Sequence, residues 1–391
     1  GASPLRPALA VEVVRFVGEA VAAVVAETAE AAKDALDLIE VDYEPLPAVA
    51  GVVAATAPDA PLVIPAATGN IAARMSHGDA AACDAAFAKA AHVVSLDIVN
   101  QRLIPAPMEP RAAVADPSDG RLTMRLTTQM PSSARDALAG ALGISPKTIR
   151  VLADDVGGGF GMKTGIYAED IAVAYAARAL GRPVRWTAER TEEFLAATHG
   201  RDVVSHAELA LDANGRVLGY RVRSLADVGA YAGTTGILIQ VLIGPWVSTS
   251  IYDIKTIDFV FDAVLTNTTP TAAYRGAGRP EATFVIERLM ELAARETGRD
   301  PAEFRRQNFV TQFPHQTPVI MTYDVGDYAG ALDKALAHAD IKGLPARKAA
   351  SAAKGKLRGV GYSAFIEACG IAPSAAVGSL GAGVGLWESA E

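Results

Sequence analysis

The chain has 391 residues, half of them hydrophobic and a fifth charged, with a formal net charge of −8 and a pI near 5.4. That length calls for two or three domains, and the composition is that of a packed globular protein. The acidic balance excludes a nucleic-acid partner, because neutralising phosphates takes clustered Lys and Arg.

The longest apolar stretch, residues 237–247, is interrupted by Gln240, Gly244 and Pro245. It falls well short of the about 20 residues that span a bilayer, so no membrane segment is expected. The N-terminus has no charged-then-apolar pattern of a signal peptide. Two cysteines, Cys83 and Cys369, agree with a reducing, cytoplasmic compartment and cannot hold a four-cysteine cluster. If the protein does redox chemistry, its electrons leave through another chain.

Residues 11–43 read as a compact β-β-α-β unit. "VEVVRFV" alternates like a half-buried strand, "AVAAVVA" is a short apolar run, "ETAEAAKDALDLI" has helical composition, and "IEVDYE" returns to strand. Pro45 and Pro47 stop regular structure, and the Ala/Pro/Thr mixture over 51–65 reads as a linker. A second region opens near Ala91 with the strand "HVVSLDIVNQRL", then "IPAPMEPR", then two strand-like segments around the turn "PSDG". Residues 132–142 read as a helix stopped by Gly143, and the strand "KTIRVLADDV" runs straight into "DDVGGGFGMKTGIY". Next come the helix "YAEDIAVAYAARAL", closed by Gly181 and Pro183, and the strand "PVRWTAER". Residues 203–229 form a hairpin about an Asn214-Gly215 turn.

Residues 257–265 read as a strand, "TNTTPTAAYRGAGRPE" as a second loop of small residues, and 281–297 as a long helix with Gly298 past its end. Asp300-Pro301 sets an N-cap and first-turn proline for "AEFRRQNF". From about Arg358 the sequence reads as the opening strand and loop of a further domain. The fold class is α+β, divided at 1–65, 75–315 and 355–391.

The glycine cluster admits three readings. A phosphate cradle needs a second glycine just before Lys163-Thr164, and Met162 stands there instead. The dinucleotide fingerprint fails as well, its last glycine falling on Met162 or Thr164. A strand-to-helix turn needs positive φ angles, yet three glycines ahead of Phe160 exceed what one turn demands. They would let a bulky group lie against bare backbone.

The third reading is a resemblance. "VGGGFGMK" closely resembles the molybdenum-cofactor loop of the molybdenum hydroxylases, the xanthine oxidase and aldehyde oxidase family. "TTQ" at 127–129 looks like that family's upstream glutamine segment and stands at the expected separation. "AYRGAGRPE", 273–281, resembles the second cofactor-facing loop with its arginine, and "APMEPRAAVA", 106–115, also fits. "VRFVGEAVAAVVAETAEAAKDALDLIEVDYEPLPAV" looks like the end of the family's α/β-hammerhead domain. The resemblance thus covers most of the chain in five ordered segments. It implies the end of a hammerhead domain over 1–65, a first molybdopterin-binding domain over 75–315, and the start of a second over 355–391.

The resemblance implies hydroxylation of an aldehyde or N-heteroaromatic carbon with oxygen drawn from water. The cofactor would be molybdenum–molybdopterin, in the cytosine dinucleotide form, with [2Fe-2S] clusters and FAD on partner chains or domains. Gln129 is expected to hydrogen-bond an oxygen on molybdenum. Gly158, Gly159, Phe160 and Gly161 form the cofactor-facing turn, with Gly161 presenting a bare backbone N–H. Arg275 steadies negative charge near the metal, and Gly276 and Gly278 permit close approach. Gln129, Phe160 and Arg275 lie near molybdenum without ligating it.

Thr164 stands where purine-oxidising members have an acidic residue, and Ala277 where they have an aromatic one, which weakens a xanthine-type substrate. The arginine loop lacks the cysteine of carbon monoxide dehydrogenases. Glu109, Glu169 and Asp170 are candidate acids, of which Glu169 and Asp170 suit the start of a helix. The six histidines show no metal-ligand spacing.

The family's catalytic glutamate belongs to the second molybdenum domain and is expected beyond Glu391; Glu388, in "GVGLWE", comes too early to be it. Either the sequence is a piece of a longer subunit or it is one half of a naturally split one. In both cases the chain alone is expected to be inactive, a C-terminal molybdenum domain being its missing partner. Two rival readings stand beside this one: a nucleotide-binding module built on 157–164, and a non-catalytic assembly subunit of the same fold.

Overall fold

The computed structural model describes residues 6–367. The strands of its two main sheets are β1 (Ile71–Gly78), β2 (His92–Asn100), β3 (Ala112–Asp116), β4 (Leu122–Leu126), β5 (Ile149–Leu152), β6 (Val184–Thr187), β7 (Val203–Leu211), β8 (Val217–Gly229) and β9 (Ile257–Leu265). The larger sheet has the order β1-β9-β8-β7-β2, with β8 and β9 parallel and the other pairs antiparallel. The smaller has the order β5-β4-β3-β6, with β4 and β5 parallel.

The helices are α1 (Ala29–Leu36), α2 (Val52–Ala55), α3 (Ala80–Ala88), α4 (Pro131–Leu142), α5 (Ala168–Leu180), α6 (Arg190–Ala196), α7 (Thr234–Leu238), α8 (Gly244–Trp246), α9 (Arg279–Glu296) and α10 (Pro301–Gln307), with α11 (Tyr328–His338) and α12 (Leu344–Ala352) after them. A π-turn, Ile239–Ile243, joins α7 to α8. Against the larger sheet, α9 buries Ile286, Leu289, Met290 and Ala293 in one cluster with Leu209, Tyr220 and Phe259. Each such fully buried large apolar side chain contributes about 1.5–3 kcal/mol. On the smaller sheet α4 and α5 share a core with Ala113, Met124 and Ile149.

Most expected elements form for the expected reasons. The β7–β8 hairpin turns where Asp212 Oδ1 accepts the N–H groups of Asn214 and Arg216, both at 2.8 Å. Gly143 and Gly181, both left-handed, end α4 and α5. Asp300 caps α10 through the N–H groups of Ala302 and Glu303.

The β-β-α-β unit expected over 11–43 is corrected. Its helix is present as α1, but its extended segments join no sheet. A strand exists only through a partner's hydrogen bonds, and here Ala10 N–H to Ala20 O, at 2.8 Å, starts no ladder. Val11, Val17 and Leu38 are accordingly exposed. The linker expected over 51–65 is corrected too. It carries α2 and buries Val52, Ala55, Val63 and Ile64 in a cluster with Val264 and Leu265 of β9. Asn70 pins it, accepting Val63 N–H and donating to the carbonyls of Ala55 and Pro61. The alanine-rich β1–α3 unit had no clear periodicity to announce it. The strand expected after Arg358 does not form within 358–367; Cys369 and Glu388 lie outside the described residues.

Candidate cofactor site

Parallel pairing of β4 and β5 brings their C-terminal ends to the same edge of the smaller sheet. From β4 the chain runs through Thr127 and Thr128 to Gln129; from β5 it enters the glycine loop. The crevice outside the carboxyl ends of parallel strands is where ligands of such sheets gather. A third segment, 271–278, arrives from β9 of the larger sheet on its way into α9, so the three meet at the seam between the sheets.

Two contacts close the seam. Arg275 N–H donates to Phe160 O at 2.9 Å. Gly161, at φ 97°, sits so close to the other loop that an added Cβ would lie 2.5 Å from Ala273 O. Phe160 itself is left-handed, at φ 54°, with its ring 41% exposed above Gly158. A non-glycine residue in that region carries strain, which concentrates at functional sites.

Gln129 folds over the glycine loop, its carboxamide 2.3 Å from where a Cβ on Gly159 would stand. Its Oε1 accepts Gly161 N–H at 3.0 Å. The expectation of a bare Gly161 N–H is thereby corrected, because the nearest acceptor is the glutamine the loop was expected to stand beside. That bond also orients the amide. With Oε1 engaged, the Nε2 amino group is the end left to donate.

Lys163 does not serve a phosphate. It is 1% exposed, and its ammonium donates to Glu109 O and Glu109 Oε2, both at 2.9 Å. Glu109 Oε2 also accepts Gly157 N–H at 2.7 Å, and Lys163 O accepts Gln129 N–H at 2.9 Å. Lys163 therefore ties together, through its ammonium and its backbone carbonyl, the segments carrying Glu109, Gln129 and the glycines. Burial pushes the Glu109 carboxyl up, but Lys163 and the Gly157 N–H together hold it below the usual range.

The other two acids are also occupied. Glu169 pairs with buried Arg111, which pairs with Glu193 as well and stacks over the Tyr167 ring at 3.9 Å. Asp170 accepts Tyr167 N–H at 2.9 Å in the capping box of α5. Burial pushes it up to about 6, against the opposing pull of that N–H and of Arg111. Tyr167 OH in turn donates to Met162 O at 2.6 Å and anchors the end of the glycine loop.

On the other side, Arg275 is exposed, and its guanidinium has no ion-pair partner among the described residues. Gly276, Ala277 and Gly278 follow with φ of 95°, 43° and 88°. Arg201, which nothing in its local sequence singles out, donates to Arg275 O at 2.6 Å from 74 residues away. Thr164, expected where purine-oxidising members have an acidic residue, donates its hydroxyl to Gly161 O at 2.8 Å. Cys83, on α3, is buried, its Sγ near Tyr220 O. Among the described residues no three His, Cys, Asp or Glu side chains converge as a metal site, and no helix is long and apolar enough to cross a membrane.

Residues 63–309 match the family model "Molybdopterin cofactor-binding domain", and residues 2–47 match "Aldehyde oxidase and xanthine dehydrogenase, a/b hammerhead domain". The chain is 34% identical to subunit gamma of the 6-hydroxypseudooxynicotine dehydrogenase complex of Paenarthrobacter nicotinovorans, over 93% of this chain and 46% of that one. It is 35% identical to the carbon monoxide dehydrogenase large chain of Hydrogenophaga pseudoflava, over 98% of this chain and 50% of that one. Quinoline 2-oxidoreductase from Pseudomonas putida 86 superposes with a TM-score of 0.84 at 37% identity, covering 90% of this chain and 45% of that one. The chain thus spans about half the length of the relatives it matches.

Proposed function

The chain belongs to the molybdopterin-binding large subunits of the xanthine dehydrogenase and aldehyde oxidase family, corresponding to their N-terminal part, and we propose that it forms one wall of a molybdenum hydroxylase active site. The observation that carries this is the convergence of Gln129 and Arg275 on one glycine-lined seam, each with donors left over. An anionic, oxygen-bearing cofactor fits that donor set. When bound, it supplies hydroxylation of an electron-poor carbon with oxygen drawn from water.

This chain's residues bind and orient. Gln129 donates from Nε2 to an oxygen of the cofactor, its amide held in the right sense by Gly161 N–H. Arg275 balances negative charge, and Gly158, Gly159 and Gly276 leave room for the Phe160 ring, the Gln129 carboxamide and Pro280, which shape the seam. The Phe160 ring lies over Gly158. Donors fixed before reaction stabilise developing charge without reorganising.

The substrate is an aldehyde or an N-heteroaromatic. Thr164 offers a hydroxyl turned to the loop where a carboxylate would bind a purine, and Ala277 leaves room for a ring. No cysteine lies in residues 273–279, which disfavours carbon monoxide as substrate. The cofactor is the cytosine dinucleotide form, [2Fe-2S] and FAD partners carry the electrons away, and the catalytic base comes from the half of the relatives' length outside this chain. The chain alone is inactive.

Metal and nucleotide analysis of the native complex tests this. One molybdenum per chain, with CMP released on hydrolysis of the pterin, is expected. A complex without molybdenum would overturn the reading.

A further inference from the structure

Residues 199–202 run beside the arginine loop as a strap. His199 N–H donates to Pro270 O at 3.0 Å, Ala272 N–H donates to His199 O at 2.8 Å, and Gly200 packs against the Cβ of Tyr274. Arg201 follows with φ 65° and Asp202 with φ 69°, a left-handed pair without a glycine. The carboxylate of Asp202 is held by Arg102 Nε at 2.7 Å.

The guanidinium of Arg201, on a side chain only 7% exposed, has three kinds of contact. Nη2 donates to Arg275 O at 2.6 Å, and Nη1 donates to Tyr274 O at 3.3 Å and to Glu281 Oε1 at 3.1 Å. Its Cζ lies 4.6 Å from the centre of the Tyr274 ring. Glu281 is buried on α9 beside a small cavity that Ser205, Ser224 and Gln240 also line. Its Oε2 makes no directed hydrogen bond there. A buried Arg–Glu pair by itself is often only structural. Here the cation also grips the carbonyls on either side of Arg275 Cα. Those two peptide planes decide where the Arg275 side chain points.

We propose that Arg201 is a positioning residue, aiming Arg275 into the seam through the carbonyls of Tyr274 and Arg275. The proposal rests on the reading of Arg275 as a group that faces an anionic cofactor. Its geometric core does not: Arg201 fixes the arginine loop whether or not that cofactor is bound.

The test uses the native complex carrying R201Q/E281Q, which removes both buried charges together, and R201K, which keeps the charge and loses the fork. Amide hydrogen exchange is read at Arg275 and Ala277, whose N–H groups donate to Phe160 O and Tyr274 O. Exchange at both is expected to rise roughly tenfold or more in the double variant, and by less in R201K. In molybdenum-loaded complex, kcat is expected to fall on the order of 10²-fold with KM little changed. Metal content should stay at the wild-type level while the Mo(V) resonance spectrum shifts. Unchanged exchange in both variants overturns the positioning role, and so does a wild-type spectrum in the double variant. If the wild-type complex holds no molybdenum, the cofactor reading fails, while the exchange rates still decide the positioning.

Discussion

The two loops at the seam are held in opposite ways. The glycine loop takes its course because side chains are absent: Gln129 lies over Gly159, Ala273 O presses on Gly161, and Lys163 ties the loop down from below. The arginine loop turns through a left-handed run whose middle residue is alanine, and a cation from a separate strap holds it. Glycine makes a bend inexpensive and visible in sequence. A left-handed residue that carries a side chain, Ala277 here and Phe160 in the glycine loop, stores strain and leaves no such signature.

Gly161→Ala gives the sharpest contrast. The new Cβ combines an unfavourable φ with a backbone oxygen 2.5 Å away, so either the loops part or the whole turn shifts. A loss of about 3–4 kcal/mol in unfolding free energy is expected. Denaturant unfolding of the two forms measures it. A loss under about 1 kcal/mol would mean that the loops are not in mutual contact.

Asp170 tests the glycine loop through pH. Its carboxyl is raised by burial from 3.8 to about 6, so the folded state favours the protonated form. Stability from this group is fully present below about pH 3.8 and is lost as pH rises through 6. The stability of the wild type relative to Asp170→Asn is expected to fall by about 2–3 kcal/mol between pH 4 and pH 7. Taking the difference between the two proteins cancels Glu109, whose lowered carboxyl titrates in the opposite sense. A flat difference across that range would show that the cap is not desolvated.

What could be read from the sequence follows the same division. The glycine cluster, the hairpin turn at Asn214-Gly215 and the caps at Gly143, Gly181 and Asp300 were legible because each depends on residues adjacent in the chain. Gln129 and Arg275 were singled out only through resemblance, and the fold brings both to the glycine loop. Neither Lys163's inward turn nor the role of Arg201 could be read, since a buried cation is defined by its distant partners. The extended segments over 11–43 misled for a related reason. Alternation records which face would be buried, and it cannot record whether a partner strand is present.

Lys163→Met breaks the glycine-loop clamp while leaving the backbone free to stay. Glu109 keeps its Gly157 N–H, and its side chain is 34% exposed, so water can take over part of the lost pairing. The cost is therefore nearer about 2 kcal/mol than the 3–5 kcal/mol of a fully buried broken pair. Amide hydrogen exchange should find 157–163 loosened and 273–279 unaffected. Equal loosening of both loops would show that they are one unit and would end the distinction drawn between them.

Ala277→Gly probes the arginine loop with the smallest effect and the opposite sign. Glycine relieves the φ of 43° but loosens the unfolded chain, so the two terms largely offset, and a net gain of up to about 1 kcal/mol is expected. If strain there serves to hold Arg275 in place, stability and function should separate. The variant would melt slightly higher, exchange its Ala277-position amide faster, and turn over more slowly when loaded. A variant that is stabilised and fully active would show that the left-handed alanine is only tolerated, and that Arg201 alone is sufficient to aim the loop.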